Sequence, residues 1–510
     1  MLNDVTVIRG QGGLGRALPG EDYISGLMFY TDNLPSGFDD THRVKQVLSL
    51  AAAEALGIDG DYSDETKATG TVTITNVGSN GDTIAIYVQE PTEQVLLATY
   101  TKVSGDTTVT LVAVAIKNAI NALTSSHGYT AANTAGAITI TARAGLGIFL
   151  NSGTPISTVI VGTIARSITQ FSGGVASELA QWHYHIAEYF RIQPAGNLWL
   201  GFFELTANTF DFAELQTMQN TATGKIRQCG VYLCNTGSFD GASDVATAAD
   251  ALQVQVELLE SLHTPLSTIV ATNLEPVADF TNLLTLANQS DSGVSVVIGQ
   301  DGDGLGSEIF YAQGTSITCL GAVLGATSLA AVNENIGWIQ KFNLSNGIEL
   351  AKPAYSNGVL VNIIADLNLL TQLNEYKYIF LRYFPGTSGS YVQDNPTCIA
   401  SSSDYAYMND NRVIDKADRL LYGAYLPFLN GPIVLNADGT ISDNDVAYLT
   451  SLGNVALDDM VRNGEVSAKE ITIDPAQNVL STNKIIITAS LVPVGSARHI
   501  TVKLGYVLSL

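Results

Sequence analysis

The carboxyl-terminal run of this chain alternates between apolar and other side chains from Ile500 to Tyr506, and this pattern limits what the run can form. Its apolar positions are Ile500, Val502, Leu504, Tyr506 and Leu508. A period of two predicts a half-buried β-strand. A strand at the end of a chain leaves backbone N–H and C=O groups that are most simply satisfied at a sheet edge, in the same chain or in a neighbouring copy. Assembly is therefore the first functional hypothesis.

A second strand-like run precedes the terminal one. Residues 484–494 are rich in isoleucine, leucine and valine, and the short stretch 495–498 connects them to the terminal run. Two such runs joined by a short connection are typical of a β-hairpin. We therefore expect the two runs to pair.

The charge balance excludes several classes of partner. The 510 residues include 24 Lys and Arg against 48 Asp and Glu, a formal net charge of −24. Binding to a phosphate backbone or to an anionic membrane surface needs clustered Lys and Arg, so we expect no direct nucleic-acid contact and no membrane insertion. The amino terminus lacks the pattern of a signal peptide, and a soluble protein without a conventional export signal is expected.

Neither the cysteines nor the first glycine-rich segment indicates a cofactor. The cysteines are Cys229, Cys234, Cys319 and Cys398. They lack paired spacing, which favours a reducing compartment over a zinc site or a disulfide framework. Residues 10–15 match GxGxxG, but Pro19 interrupts the helix that a dinucleotide fingerprint needs, so a flexible arm is the favoured interpretation.

Residues 300–306, with the sequence Gln-Asp-Gly-Asp-Gly-Leu-Gly, follow a predicted strand, where α/β sheets often bind ligands. As a calcium loop the segment fails, because Leu305 stands where an oxygen ligand is needed and no glutamate closes the loop. His183 and His185 lie two apart on a predicted helix and cannot share one metal. We predict no catalytic, cofactor-binding or metal-binding residue, while an enzyme with a site near 300–306 stays open as an alternative.

Composition and periodicity divide the chain into four parts. Residues 1–65 form an N-terminal arm and the start of the core, with Val5 and Val7 as candidate arm residues. Residues 66–175 are interpreted as an inserted, outward-facing α+β domain. Residues 176–400 form an α/β core domain. Residues 401–510 form a C-terminal domain with a terminal strand arm, whose candidate contact residues are Ile500, Val502, Leu504 and Tyr506.

The predicted fold class is α/β and α+β multidomain. Apolar strands are expected at 198–205, 230–234, 266–271 and 294–298, with helices such as 244–263 between them. This alternation predicts a mainly parallel core sheet that helices cover on both faces. The small inserted α+β domain and the extended terminal β-arms complete the expected architecture.

Residues 411–419 form a predicted helix with both signs of charge. The candidate interface charges are Arg412, Asp415, Lys416, Asp418 and Arg419. They could form ion pairs that switch between subunits, or pairs within the helix on a solvated face, and the energies are small in either case. The sequence leaves these two interpretations equally open.

Several features together resemble the contractile tail sheath proteins of bacteriophages, most closely the sheath family of Mu-like phages. They are the glycine-rich opening, Phe-Ser-Gly-Gly at 171–174, Phe-Pro-Gly-Thr-Ser-Gly-Ser-Tyr at 384–391, the charged segment 411–419 and the terminal strand run. The likeness is spread over most of the chain.

The resemblance implies hexameric rings stacked helically around an inner tube, with terminal arms that add strands to a neighbouring subunit's sheet. It implies self-association and contact with tail tube, baseplate and tail terminator proteins, in a virion tail that is assembled in the host cytoplasm, without a cofactor. Contraction would then drive the tube through the host envelope. The alternatives are the enzyme near 300–306 and another structural virion protein, such as a tube, capsid or adhesin component.

Overall fold

The structure of the chain, a computed structural model, describes residues 21–233, 244–275, 277 and 280–506. Val5, Val7, Cys234 and Leu508 of the sequence predictions lie outside these ranges. The first described elements are two strands and a short helix: β1 (Ile24–Tyr30), β2 (Val44–Val47) and α1 (Leu50–Glu54). The next part of the chain is the predicted insert.

The insert contains seven strands and two helices, which form two antiparallel sheets. They are β3 (Thr69–Asn76), β4 (Thr83–Gln89), β5 (Gln94–Thr101), α2 (Val109–Ala122), α3 (Thr124–His127), β6 (Thr130–Thr134), β7 (Ala137–Thr141), β8 (Ile156–Val161) and β9 (Ala165–Ser172). The sheets have the orders β6-β7-β3-β9 and β5-β4-β8. Helix α2 buries Val112, Ile116 and Ile120 against them. The α+β character is confirmed, and the boundaries 66–175 stay a prediction.

The predicted core region alternates strands and helices along the chain. Its elements are α4 (Glu178–Ile192), β10 (Asn197–Phe203), α5 (Glu214–Thr221), β11 (Gln228–Tyr232), α6 (Val245–Ser261), β12 (Ser267–Ala271), β13 (Ser290–Asp291), β14 (Val294–Val297), β15 (Gly299–Asp301), α7 (Leu305–Gln313), α8 (Leu320–Leu329), β16 (Pro353–Tyr355), α9 (Leu367–Glu375), β17 (Tyr378–Ile379), β18 (Leu381–Arg382), β19 (Tyr391–Val392) and β20 (Cys398–Ile399).

Seven strands form the central sheet, in the order β17-β14-β12-β11-β1-β10-β2. Strand β1 is parallel to both β10 and β11, and β12, β14 and β17 continue the parallel run, while β2 is antiparallel at one edge. Every residue of β1 is buried, as expected for a parallel strand with helices on both faces. The prediction of a mainly parallel, helix-covered sheet is confirmed.

The two faces of this sheet have separate cores. Met28 and Tyr30 of β1 pack on one face with residues of α5, α6 and α9. Leu27 and Phe29 pack on the other face with residues of α1, α4 and α8. Successive residues of a strand point to opposite faces, so β1 contributes to both cores.

The C-terminal region packs two long helices on a two-stranded antiparallel sheet. Its elements are α10 (Met408–Tyr425), α11 (Asp443–Arg462), β21 (Val466–Ile473), α12 (Val479–Thr482) and β22 (Ile487–Pro493). The predicted helix at 411–419 is confirmed within α10. No helix of the described ranges is long and apolar enough to cross a membrane.

The predicted hairpin between residues 484–494 and the terminal run is wrong for the described residues. Strand β22 pairs with β21 instead, from Val466↔Pro493 to Ile473↔Ile487. The reason is that β21 buries Val466 and Ile471 in the core of α10 and α11, which fixes β21 beside β22. No strand is assigned to residues 494–506.

Helices α4 and α8 approach each other closely through glycines on α8. A Cβ atom on Gly321 would overlap the carbonyl group of His185, and one on Gly325 would lie 2.8 Å from the carbonyl oxygen of Tyr189. Only residues without a side chain allow backbone contact of this kind. The packing of α8 on the sheet therefore depends on these two positions.

We predict that Gly321→Ala lowers the free energy of unfolding by about 3 kcal/mol, because the added methyl group forces α8 away from α4. The matched control is Gly423→Ala in α10, where a Cβ meets nothing within 4 Å. The control is expected to raise the free energy of unfolding by about 0.5–1 kcal/mol, because alanine has a higher helix propensity than glycine. Urea unfolding followed by circular dichroism measures both, and equal effects at the two positions would contradict the prediction.

Candidate assembly interface

The terminal run is exposed in the isolated chain. The side chains of Ile500, Val502, Leu504 and Tyr506 are 80%, 78%, 97% and 108% exposed. The expectation of a half-buried strand is therefore wrong for the single chain. Fully burying a side chain of this size stabilises by about 1.5–3 kcal/mol, so four of them offer a substantial driving force for association.

The sheet of β21 and β22 has open edges next to this run. It contains only these two strands among the described residues, so each strand has one edge without a strand partner. One face of β21 is covered by α11, whereas β22 is mostly exposed. Two-stranded sheets are marginally stable alone, and a third strand would add main-chain hydrogen bonds at an open edge.

Arg498 fixes the point at which the terminal run leaves the protein. Its guanidinium group lies 3.3 Å from the ring centroid of Tyr407, and its Nε lies 3.0 Å from Oδ2 of Asp394. The carboxylate of Asp394 also accepts hydrogen bonds from Nδ2 of Asn335, at 2.5 Å, and from the backbone N–H of Asn395, at 2.9 Å. Stacking and a charged hydrogen bond together favour arginine at this position. We call Arg498, Tyr407 and Asp394 the tail anchor.

The tail anchor was not predicted from the sequence, because residues 495–498 show only the pattern of a connection between two strand-like runs. The one available signal is an arginine isolated between small residues and an apolar run. Its partners lie about a hundred residues earlier in the chain, and nothing in the local pattern identifies them.

The surroundings of the tail anchor are partly buried. Burial raises the pKa of Tyr407 and lowers the pKa of Lys377, whose ammonium group also lies over the Tyr407 ring.

The three cationic residues of the predicted charge set contact their own chain. Lys416 lies 2.6 Å from Asp22 and 2.7 Å from Glu465, and Arg419 lies 3.0 Å from Asp22. Arg412 is buried and donates to the backbone carbonyl groups of Ala330 and Asp22. These contacts join α10 to the segment that enters β1. A further role of the charges at a subunit interface stays a prediction.

Asp22 lies at the centre of the contacts between α10 and the segment that enters β1, which we call the junction. Burial alone raises the pKa of its carboxyl group, but the charges of Lys416 and Arg419 outweigh burial, so that the pKa is lowered. A carboxylate held by two cations in a partly buried site is strongly favoured in its ionised form. The junction is therefore a structural link between the C-terminal region and the central sheet.

The acidic members of the predicted set lie toward α6. Oδ2 of Asp418 is 3.9 Å from Nδ1 of His263, whose ring stacks on Tyr422 with a centroid distance of 3.9 Å. Burial raises the pKa of Asp415 to about 7, with Arg419 opposing the shift and Glu260 adding to it. An acidic cluster thus lies between α6 and α10.

The loop at 300–306, the site of the enzyme alternative, is engaged in local structure. Oδ1 of Asp301 accepts from the backbone N–H of Gly304 at 3.1 Å, just before α7 begins. The side chain of Gln300 accepts from the backbone N–H of Ile317 at 2.9 Å. Glu349 accepts from the N–H of Leu305, and burial together with Asp301 raises its pKa to about 7. The contacts of Asp301 and Glu349 cap the start of α7, and the contact of Gln300 holds the loop that precedes α8.

The other side chains considered for metal binding or catalysis are two histidines and three cysteines, and most of them are buried. His185 lies in the core with its pKa lowered by burial to about 3, while His183 lies 3.1 Å from Glu54 at the surface. Burial raises the thiol pKa of Cys229, Cys319 and Cys398. Within the described ranges, no group of three or more His, Cys, Asp and Glu side chains is arranged to hold a metal ion.

We predict that Arg498→Ala releases the tail anchor. Loss of the stacking and of the charged hydrogen bond is expected to speed thermolysin cleavage within residues 494–498 about tenfold, measured by mass spectrometry of the fragments. Arg498→Lys is the matched control. Its cleavage rate should lie between those of the wild type and the alanine variant, because an ammonium group keeps the charge without the planar stacking surface. Cleavage at the wild-type rate in the alanine variant would argue against an anchor.

We predict that Asp415→Asn stabilises the protein at high pH. A folded-state pKa near 7, against an ordinary value near 4, means that stability from the protonated form is lost as the pH rises through this window. The variant stays neutral, so its advantage in free energy of unfolding should grow from about zero at pH 4 to about 3–4 kcal/mol at pH 8, since each pKa unit corresponds to about 1.4 kcal/mol. Thermal unfolding across this pH range measures it, with the exposed Asp404→Asn as control. A constant difference at all pH values would count against the assignment.

Two family models match the chain. The DUF2586 N-terminal domain matches residues 2–396, and the DUF2586 C-terminal domain matches residues 404–510. A comparison with curated proteins found no match.

Among solved structures, the chain is similar to a chain of the cryo-EM structure of the anti-feeding prophage (AFP) baseplate, 6-fold symmetrised. The identity is 15%, the match covers 64% of this chain and 80% of that chain, and the TM-score is 0.43. A chain of the same baseplate in the contracted state matches with 13% identity, 64% and 84% coverage and a TM-score of 0.43. Similarity at this level carries no argument about function. The family matches span most of the sequence, and the chain belongs to the DUF2586 family.

Proposed function

We propose that this protein is the structural subunit of a contractile tail sheath, and that it polymerises as stacked hexameric rings around an inner tube. The observation that carries the proposal is the terminal run, which is anchored at Arg498 and exposes four large apolar side chains in strict alternation. An isolated chain gains nothing from that exposure, whereas a neighbouring copy with an open sheet edge can bury it. The resemblance of the sequence to phage sheath proteins supplies the specific assembly.

In this proposal the terminal run of one copy adds a strand to the β21–β22 sheet of the next. Main-chain hydrogen bonds give the affinity, and the alternating apolar side chains fix the register. The tail anchor keeps the arm attached to the body of its own subunit when subunits turn relative to one another. The candidate arm residues Ile500, Val502, Leu504 and Tyr506 are the contact residues, and Val5 and Val7 would act at the other end of the chain.

The proposed work is mechanical. The extended sheath is a metastable packing, and a signal from the baseplate releases the subunits into a tighter packing with more buried contact. The difference in contact free energy drives the tube through the host envelope, without a cofactor or chemical turnover. The proposed partners are other copies of the chain, the tail tube, the baseplate and the tail terminator. The proposed location is the virion tail, after assembly in the host cytoplasm.

An enzyme near residues 300–306 is the second candidate. One observation favours it: Glu349 has a pKa of about 7 beside the buried Asp301, which suits proton transfer at neutral pH. Against it, both side chains bind backbone N–H groups around the start of α7. The assembly proposal explains the exposed terminal run, and the enzyme proposal does not.

We predict that the purified protein forms long hollow tubes visible by electron microscopy, and that deletion of residues 499–510 leaves a folded monomer. The loss falls on contacts between chains, because residues 499–506 are exposed in the single chain. Circular dichroism and sedimentation velocity check that the truncated chain is folded and monomeric. Full-length-like tubes from the truncated chain would defeat the proposal.

A variant with three substitutions tests the apolar positions of the terminal run directly. Ile500→Asp, Val502→Asp and Leu504→Asp together should raise the critical concentration for assembly at least about 100-fold, since more than about 3 kcal/mol of apolar burial is lost. The control changes the intervening positions, Thr501→Ser with Lys503→Ser, and should assemble like the wild type. Equal loss in both variants would show that alternation is not what matters.

A further inference from the structure

A large cleft lies at the carboxyl edge of the central sheet, away from the terminal run. Its volume is about 1140 Å³. It is lined by residues 33–36, which follow β1, by Asn273 and Glu275, which follow β12, and by the first turn of α4. Strand β1 is flanked by β10 on one side and β11 on the other, so the chain reverses its direction of winding here. Crevices at such switch points are where α/β sheets bind ligands.

The lining of the cleft has one sign of charge. The carboxylates of Asp59, Asp64, Glu178 and Glu275 line it, and no Lys, Arg or His belongs to the described lining. Asp64 is committed to the fold, because its Oδ2 accepts from the backbone N–H groups of Glu178 and Leu179 at 2.9 and 3.1 Å. Asp59 and Glu275 lie on the loops that border the cleft. An acidic cleft without cations favours a positively charged occupant.

Trp182 gives a second, independent indication of an occupant. It lines the cleft, its side chain is 1% exposed, and its Nε1–H has no hydrogen-bond acceptor among the described residues. A buried indole N–H without an acceptor costs free energy, and a peptide carbonyl is a suitable acceptor. Carboxylates and an indole N–H together suit a peptide segment with a basic side chain better than a metal ion.

The start of the described chain and the tail anchor lie at the edge of the sheet opposite the cleft. Glu21 lies before β1 and pairs with Arg227, 2.8 Å away, which lies just before β11. The tail anchor lies beside Pro396, whose carbonyl accepts from Ser295 near the start of β14. A strand of seven residues spans about 23 Å, and this length separates the two edges. The described chain therefore begins at the edge of the sheet opposite the cleft.

Residues 1–20 have the composition that the cleft requires. In a strongly acidic chain they contain Arg9 and Arg16 against one acid, Asp4, and five glycines lie in residues 10–20. Glycines allow a backbone to approach closely inside a narrow site. Twenty residues reach at most about 70 Å, which is enough to cross to another subunit. Arginine matches paired carboxylates better than lysine does.

We propose that residues 1–20 of one copy dock in the acidic cleft of the next copy, with Arg9 and Arg16 beside Asp59 and Glu275 and a backbone carbonyl on Trp182. The contact is head to tail, so it repeats from one copy to the next within an assembly that the terminal run has formed. This inference rests on the proposed function for its biological setting. Its contacts are separate from the strand addition at β21–β22.

The first test uses the full chain with Arg9→Ser and Arg16→Ser as host, together with Ile500→Asp, Val502→Asp and Leu504→Asp, so that neither its own segment nor tube formation competes with the peptide. A synthetic peptide of residues 1–20 should bind this host with 1:1 stoichiometry in calorimetry. Adding Asp59→Lys with Glu275→Lys to the host should weaken binding at least about tenfold, because attraction becomes repulsion. The control pair Glu93→Lys with Glu375→Lys makes the same charge change at exposed positions outside the lining and should leave binding unchanged.

Absence of peptide binding, or equal binding to the cleft and control variants, would overturn the docking. Binding of spermine alone as tightly as the peptide would assign the cleft to a small polyamine and overturn it too. These measurements use the unpolymerised chain, so they do not depend on tube formation. Failure of the proposed function would be seen in a different experiment, the electron microscopy of the wild-type protein, which would then show no tubes.

The second test separates docking between copies from docking within one copy. The Arg9→Glu/Arg16→Glu chain and the Asp59→Lys/Glu275→Lys chain should each associate at least about tenfold more weakly than the wild type in sedimentation velocity. Mixing them in equal amounts should restore association, because every segment then meets a cleft of opposite charge on the other chain. Two folded chains that stay apart in the mixture would contradict docking between copies.

Discussion

The parallel pairing of β1 with β10 and β11 is the constraint on which the rest of the structure depends. This strand is buried over its whole length and packs into both cores of the sheet. Asp22, just before it, receives Lys416 and Arg419 from α10, and residues 33–36, just after it, enter the acidic cleft. One strand thus sets the distance and the opposite orientation of the C-terminal region and the cleft. A polymer needs such opposed surfaces on every subunit, held at a fixed separation.

The central sheet could be predicted from the sequence, because its strands bury both faces and appear as uninterrupted apolar runs. The strand expected at 266–271 is β12 at Ser267–Ala271, and the helix expected at 244–263 is α6 at Val245–Ser261. The terminal run could not be predicted in the same way. A period of two indicates a strand with one apolar face, but it does not say which chain supplies the partner, and β22 pairs with β21 because β21 is held by the helical core.

The candidate site was less predictable than the fold, for a related reason. The charged residues of α10 were visible as a group, but the partner of Lys416 and Arg419 is Asp22, almost four hundred residues earlier. The tail anchor joins Arg498 to Tyr407 and Asp394 through a stacked ring and a carboxylate, neither of which leaves a periodic signal. Long-range polar contacts of this kind depend on geometry that only the folded chain supplies. Val5 and Val7 lie outside the described ranges and stay a prediction.

The base of the insert has a consequence for how the surface of an assembly can change. Thr66 and Val175 exchange backbone hydrogen bonds of 3.1 and 2.8 Å, so the chain leaves the core and returns to it through neighbouring residues. Paired residues of antiparallel strands lie only about 5 Å apart at Cα. Any foreign module whose own termini are adjacent can replace residues between them without rerouting the central sheet. Evolution and protein engineering therefore have a ready graft point in this chain.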